Sequence, residues 1–255
     1  VRSSYFDGTD LAVLIGHPVE SDVYIGGRYP WQGNEMHNVG LGVLDDFHSG
    51  GKLIVGQNAM TDVHWWGALV ANGEHPTEVK IIKNDVHAFD TADGFGVFDF
   101  GPVDFGAPMI EPTIGWNRIA IEDTPFTGMA VIGTDGRIVG NKITGSSFAG
   151  IVIDGIGFFD ESAGEPVVIY PSSGWHVAKN WFPDYDFELA DIFLTEFTEA
   201  NTVECAWWGH VAVDLGVDNE LIGCEEVLPM TQADTMSNIR PSLDKARPMK
   251  WGAHD

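Results

Sequence analysis

The sequence predicts an all-β solenoid, a chain wound into stacked coils with loop insertions. Three observations predict it. A template of apolar residue, two residues, Asn, one residue, apolar residue recurs along the 255 residues. A Gly opening a short apolar burst follows most of those Asn residues by 8 to 12 positions. Amphipathic helical patterns are rare, and β-branched and aromatic bursts are separated by Gly, Asn and Asp.

Residues 1–30 carry apolar bursts at 11–15 and 23–25 without the template, and read as one more coil or an N-terminal cap. The template then runs through Trp31…Asn34…Met36, Val55…Asn58…Met60, Ile81…Asn84…Val86, Ile114…Asn117…Ile119, Ile138…Asn141…Ile143 and Val177…Asn180…Phe182. Asn201…Val203 and Asn219…Leu221 keep its second half. The Asn-to-Asn steps are 24, 26, 33, 24, 39, 21 and 18 residues, one coil with insertions of varying length at 99–113, 157–175 and 182–190. The Gly signal lies at 67, 96, 128 and 150, with Asp191 and His210 standing in later. Residues 31–227 therefore read as the solenoid body, and 228–255, with three Pro and little periodicity, as a C-terminal cap or tail.

One such unit is too small to bury its own apolar side chains. Stacking units about 4.8 Å apart gives every strand partners above and below. Asn suits the bend because it tolerates the left-handed conformation, and stacked Asn side chains bond amide to amide.

These repeats resemble those of the right-handed parallel β-helix superfamily, the pectate-lyase-like architecture, over roughly residues 31–224. The resemblance implies a right-handed parallel β-helix of about eight or more coils. It is specific for architecture and says little about activity, since the superfamily holds polysaccharide lyases, glycoside hydrolases, tailspikes and non-catalytic surface proteins.

Charge narrows the partners. Lys and Arg number 13 against 38 Asp and Glu, a net charge of −25. Such a surface repels nucleic acid and anionic membranes and disfavours polyanions unless a cation bridges them. No apolar run approaches the ~18 residues of a membrane span. The expectation is a secreted or cell-surface module that binds carbohydrate or is structural, with oligomers open. A glycan-cleaving enzyme, hydrolase before lyase, is the alternative. Polyuronate lyases of this architecture use a basic residue, and Arg118, Arg137 and Lys142 in mid-solenoid form no recognisable motif.

Candidate sites follow from stacking. Cys205 and Cys224, 19 residues apart, fall in neighbouring coils within disulfide reach, or else stack as two thiols. The pairs Trp65-Trp66 and Trp207-Trp208 should each place one ring in the core and one outside, making Trp65 and Trp207 candidate sugar platforms or, more plainly, loop anchors. Asp85, Asp90 and Asp93 are candidate Ca²⁺ ligands in an acid-rich segment, against the ordinary reading of solvated loop acids. Asp154 and Asp214 each follow a Gly-apolar burst two coils apart, about 10 Å, close to an inverting glycosidase pair. Turn-forming Asp is the default reading for both.

Overall fold

Why an Asn recurs becomes clear at the corner it builds. The computed structural model describes residues 1–16, 20–45, 50–70, 78–89, 93–98, 112–122, 127–133, 135–160, 165–183, 185–205 and 210–226. Within them the chain is all-β apart from one short 3-10 turn, Pro30–Gln32. Two large parallel sheets carry the fold. One holds eight strands, among them Val23–Gly26, Lys52–Gly56, Arg137–Val139 and Glu220–Ile222. The other holds eleven, nine of them along one continuous path from Tyr5–Ile15 to Glu225–Glu226. Every coil contributes one segment to the smaller sheet and then crosses to the larger. Residues 1–30 do the same: Tyr5–Ile15 pairs in register with Glu35–Asp45, and Val23–Gly26 with Lys52–Gly56.

The larger sheet bends along each coil. Ala59–Val70 runs through the bend and pairs first with Asp85–Phe89 and then with Asp93–Phe98. Tyr185–Leu194 pairs with Lys142–Ile153 from Gly145 onward, so 185–190 belongs to the sheet and not to an insertion. The insertion around 157–175 does carry its own structure, an antiparallel hairpin of Ile156–Asp160 and Glu165–Tyr170.

The interior is filled by three columns of side chains, one from each segment of the coil. Val55, Ile81, Ile114, Ile138 and Val177 stand three residues before the corner Asn, Ile25 pairs in register with Val55 at the head of the column, and all are fully buried, whereas Trp31, which the template placed before Asn34, is exposed. Met36, Met60, Val86, Ile119, Ile143 and Phe182 stand two residues after it. Val43, Ala68, Phe95, Met129, Ile151 and Ile192 complete the cross-section. The template is thus the spacing of two inward positions across one bend.

The Gly signal has a steric cause. A Cβ at Gly128 would lie 2.6 Å from the carbonyl oxygen of Gly150 in the next coil and 2.8 Å from Ile143 Cγ2. Asp191 takes this column after Gly150, but Gly96 and His210 do not: Gly94 stands between Gly67 and Gly128, and Val211 follows Asp191, with His210 one residue earlier.

Two expectations are corrected. The left-handed residue at the corner is the one before Asn: Gln57, Lys83, Trp116 and Lys179 have φ between 55° and 63°, and Gly140 has 66°. Asn itself is freed to point inward and bond along the stack. Second, Asn201 and Asn219 are not in the column of the other six. They precede Thr202–Glu204 and Glu220–Ile222 of the smaller sheet and so belong to a different corner.

Candidate functional site

The first corner is held by an amide ladder. The side-chain N–H of each Asn donates to Oδ1 of the next, from Asn34 through Asn58, Asn84, Asn117 and Asn141 to Asn180, at 2.9–3.1 Å. The backbone N–H of each donates to the same oxygen, as Asn117 N–H does to Asn141 Oδ1 at 3.0 Å. The second side-chain N–H reaches back into the preceding coil, for Asn117 to Ile81 O at 2.9 Å. Ser4 N–H starts the ladder on Asn34 Oδ1. From Asn34 to Asn141 both amide hydrogens and the oxygen are therefore used, and all six side chains are buried.

Such a corner is a rigid rail for whatever flanks it. The residues on either side of four consecutive ladder positions read Lys83-Asn84-Asp85, Trp116-Asn117-Arg118, Gly140-Asn141-Lys142 and Lys179-Asn180-Trp181. Trp116 is 58% exposed and Trp181 42%. The Trp116 indole lies across Gly140, where a Cβ would meet Cδ1 and Nε1 at 3.0 Å. Lys142 Nζ stands 4.9 Å from the centre of the Trp181 ring, within cation–π reach. At the top of the same corner Tyr29 and Trp31 stack with ring centres 4.7 Å apart, and Trp31 is exposed. On the adjoining sheet Lys52 and Lys80 both pair with Glu78. The hydrogen bonds from Lys52 and then Lys80 hold the Glu78 carboxyl below its usual range, and the Glu78 contact raises Lys52.

A second cluster lies on the larger sheet. His37 Nδ1 is 3.2 Å from Asp62 Oδ2, His87 Nδ1 is 3.7 Å from Asp62 Oδ1, and His87 Nε2 is 3.2 Å from Glu122 Oε1. Imidazole and carboxylate alternate across four coils. The last contact has ion-pair distance without hydrogen-bond alignment. Asp62 stands at a bulge with φ 53°, between Met60 and Val63 in the pairing.

The residues singled out from sequence fall as follows. Cys205 and Cys224 are joined by a disulfide with Cα atoms 4.7 Å apart. Cys205 N–H donates to Ile222 O just as Trp116 N–H donates to Val139 O, so the bridge staples the first corner one coil beyond Asn180. Trp65 is 48% exposed; its neighbour Trp66 is buried, though among Leu41, Leu44, Leu69 and Ile132 and not in the main interior. Trp207 and Asp90 lie outside the described residues. Asp85 is exposed beside Arg118, 3.9 Å away. Asp93 pairs with Trp66 through its backbone. Among the described residues no group of three His, Cys, Asp or Glu side chains is arranged to hold a metal ion.

Asp154 and Asp214 do not share a column. Ile153 pairs with Leu194 and Leu194 with Asp214, so Asp214 is one register step behind Asp154, whose partner is Thr195. One step reverses the face of a strand. Asp154 Oδ1 accepts from Thr195 Oγ1 at 2.6 Å and from Gly155 N–H; Asp214 Oδ1 accepts from Asn219 Nδ2 at 2.8 Å and Gly216 N–H. Both carboxylates are occupied, that of Asp154 by its own turn and by Thr195 of the next coil, and that of Asp214 within its own turn. Sequence reasoning missed the buried pair Asp191–His210, with Nδ1 to Oδ2 at 3.4 Å and Nε2–H donating to Asn180 O. That pair is enclosed and structural.

Compared with protein-family models, curated proteins and solved structures, the chain matches none.

Proposed function

We propose that this chain is an extracellular or cell-surface right-handed parallel β-helix whose asparagine corner binds carbohydrate. The near-universal handedness of crossovers between parallel strands supports the right hand. The disulfide fits an oxidising compartment. The observation that carries the binding reading is the pair of exposed indoles, Trp116 and Trp181, on a corner that cannot flex without breaking the ladder. They lie two coils apart, about 10 Å, a spacing at which two rings of one chain lying along the stack meet two aromatic faces. Rigid aromatic area costs little conformational entropy on binding. Affinity electrophoresis through neutral and acidic polysaccharides tests this. The parent protein should be retarded by at least one glycan, and the Trp116→Gly, Trp181→Ala double variant should migrate freely. Equal mobility of the two proteins in every glycan would end the reading.

A second reading rests on His87. Asp62 and Glu122 stand at opposite nitrogens of one imidazole, so their oxygens are no more than about 9 Å apart, compatible with the roughly 6.5–9.5 Å of an inverting glycosidase. Exposed Trp65 lies three residues from Asp62 on the same strand. In this reading one carboxylate protonates the leaving oxygen and the other activates water. Release of reducing ends from a polysaccharide, abolished by Glu122→Gln, would establish it. Unsaturated products would instead indicate a lyase, with Ca²⁺ dependence as the check on the calcium expectation.

A further inference from the structure

We propose that the ligand of the asparagine corner is an acidic polysaccharide, its carboxylate or sulfate groups met by Lys83, Arg118, Lys142 and Lys179 while Trp116 and Trp181 stack on its rings. This deepens the carbohydrate reading and depends on it.

The argument begins with where the cations are. Of the 13 Lys and Arg, four (Arg240, Lys245, Arg247 and Lys250) lie outside the described residues. The other nine all lie on the eight-stranded sheet or at the corner it makes with the larger one. Lys52, Lys80 and Arg137 are on its strands. Arg2 and Arg28 lie over Tyr24 and Tyr29. The remaining four flank the ladder. Across the four coils from Asn84 to Asn180 the flanking positions hold four cations and one acid, Asp85. The whole chain carries −25, yet this edge is locally positive. Salt screens exposed charges beyond about 8 Å, so a ligand lying on the edge responds chiefly to the charges beside it. Net charge is a poor guide here.

The cations are also available. Lys52 and Lys80 are engaged by Glu78. Lys83 and Lys179 have no carboxylate within ion-pair distance among the described residues, and Arg118 meets Asp85 only at 3.9 Å. Their backbone is fixed. Lys83, Trp116 and Lys179 hold φ of 55–57°, a conformation unfavourable for any residue with a Cβ, and Lys83 and Trp116 are tied to the next coil through N–H bonds to Gly115 O and Val139 O. The side chains project from a preorganised rail, which lowers the ordering cost of binding.

A glycan fits this rail better than a nucleic acid. Duplex DNA carries one charge per ~1.7 Å, far denser than a polymer with at most one charge per sugar, and the acidic remainder of the surface opposes it.

Calorimetric titration of the full chain with polygalacturonate, chondroitin sulfate, dextran and laminarin, in EDTA at low and high NaCl, tests the proposal. Two variants keep the fold by copying neighbours in the same column: Lys83→Gln with Lys179→Gln reproduces Gln57, and Trp116→Gly reproduces Gly140, both already at positive φ. Unchanged melting temperatures verify this. The acidic glycans should bind roughly tenfold or more tightly than the neutral ones and weaken with salt, and the double Gln variant should lose roughly tenfold for acidic glycans alone. Trp116→Gly should weaken every glycan that binds. Equal, salt-insensitive binding of dextran or laminarin would overturn the charge inference and leave carbohydrate binding standing. No binding to any glycan would overturn both. Oligothymidylate binding more tightly than polygalacturonate would assign the edge to nucleic acid and overturn the proposal.

Discussion

At one corner six asparagines, Asn34 to Asn180, stack without a break. At the other, the equivalent positions in successive coils hold Gly136, Trp175, Asn201 and Asn219. Both corners nevertheless place a left-handed residue just before: Asp135, Gly174, Ala200 and Asp218 have φ between 52° and 69° at the second. The bend itself therefore does not require Asn. At two of these positions a side-chain donor reaches a carbonyl of the preceding coil. Asn201 Nδ2 donates to Ser172 O, and in the coil before it the Trp175 indole Nε1–H donates to Gly133 O at 2.9 Å. The indole replaces the amide, and its ring lies where any Cβ on Gly136 would be, 2.1 Å from Cζ3. One corner repeats a single solution and becomes a straight rail. The other passes from Gly136 to Trp175 and only then to the amide-bonded pair Asn201 and Asn219, next to a hairpin insertion.

The comparison can be broken most forcefully at Asn117. Asn117→Ala removes the side-chain donor to Ile81 O and the acceptor of both Asn84 N–H and one Asn84 side-chain N–H in a buried site, while Asn141 Oδ1 keeps the backbone N–H of residue 117. At ~1–3 kcal/mol per stranded group, urea denaturation should show a loss of about 4 kcal/mol. Asn219→Ala, half-buried at the end of the second corner, should cost no more than about 1.5 kcal/mol. Equal losses would show that the continuous ladder adds nothing over an isolated pair. Next in size is the disulfide. Replacing Cys205 and Cys224 by Ser should cost about 3 kcal/mol for its 19-residue separation, and hydrogen exchange should rise in the last coils while the Asn34–Asn117 coils keep their protection. Trp175→Phe keeps most of the ring and removes the donor to Gly133 O, so the loss should be about 1–2 kcal/mol. A loss below a few tenths would mean the ring alone holds the second corner.

The smallest effect concerns the sheet beside the rail. The folded state lowers the Glu78 pKa from 4.5, chiefly through the Lys52 hydrogen bond. The contribution is therefore present above about pH 4.5 and lost as pH falls through the lower folded value. Glu78→Gln should change stability near neutral pH by under about 1 kcal/mol and flatten that acid limb. A variant whose acid limb is unchanged would place the proton uptake elsewhere.

Much of the fold was legible because a solenoid writes its period into the chain. Asn84, Asn117 and Asn141 form the single column that their spacing predicted, and the apolar positions three before and two after them are the interior. The end of the pattern misled. Asn201 and Asn219 look like the same template with half of it lost, yet they turn a different corner, because Cys205 and Cys224 have taken over the first one. The candidate site was written beside the template in plain view, in the triplets around Asn84, Asn117, Asn141 and Asn180. Net charge hid it by averaging four local cations into a total of −25.

By itself, the sequence determined the period, the inward positions and the Asn column, because each depends on contacts between one coil and its copy. Only the tertiary structure decided which residues from different coils share a face. It aligned Asp62 with His87 and Glu122 and set Asp214 one step behind Asp154. The physical reason is that insertions of unequal length separate the coils, so side-by-side position depends on strand register, which spacing along the chain does not record.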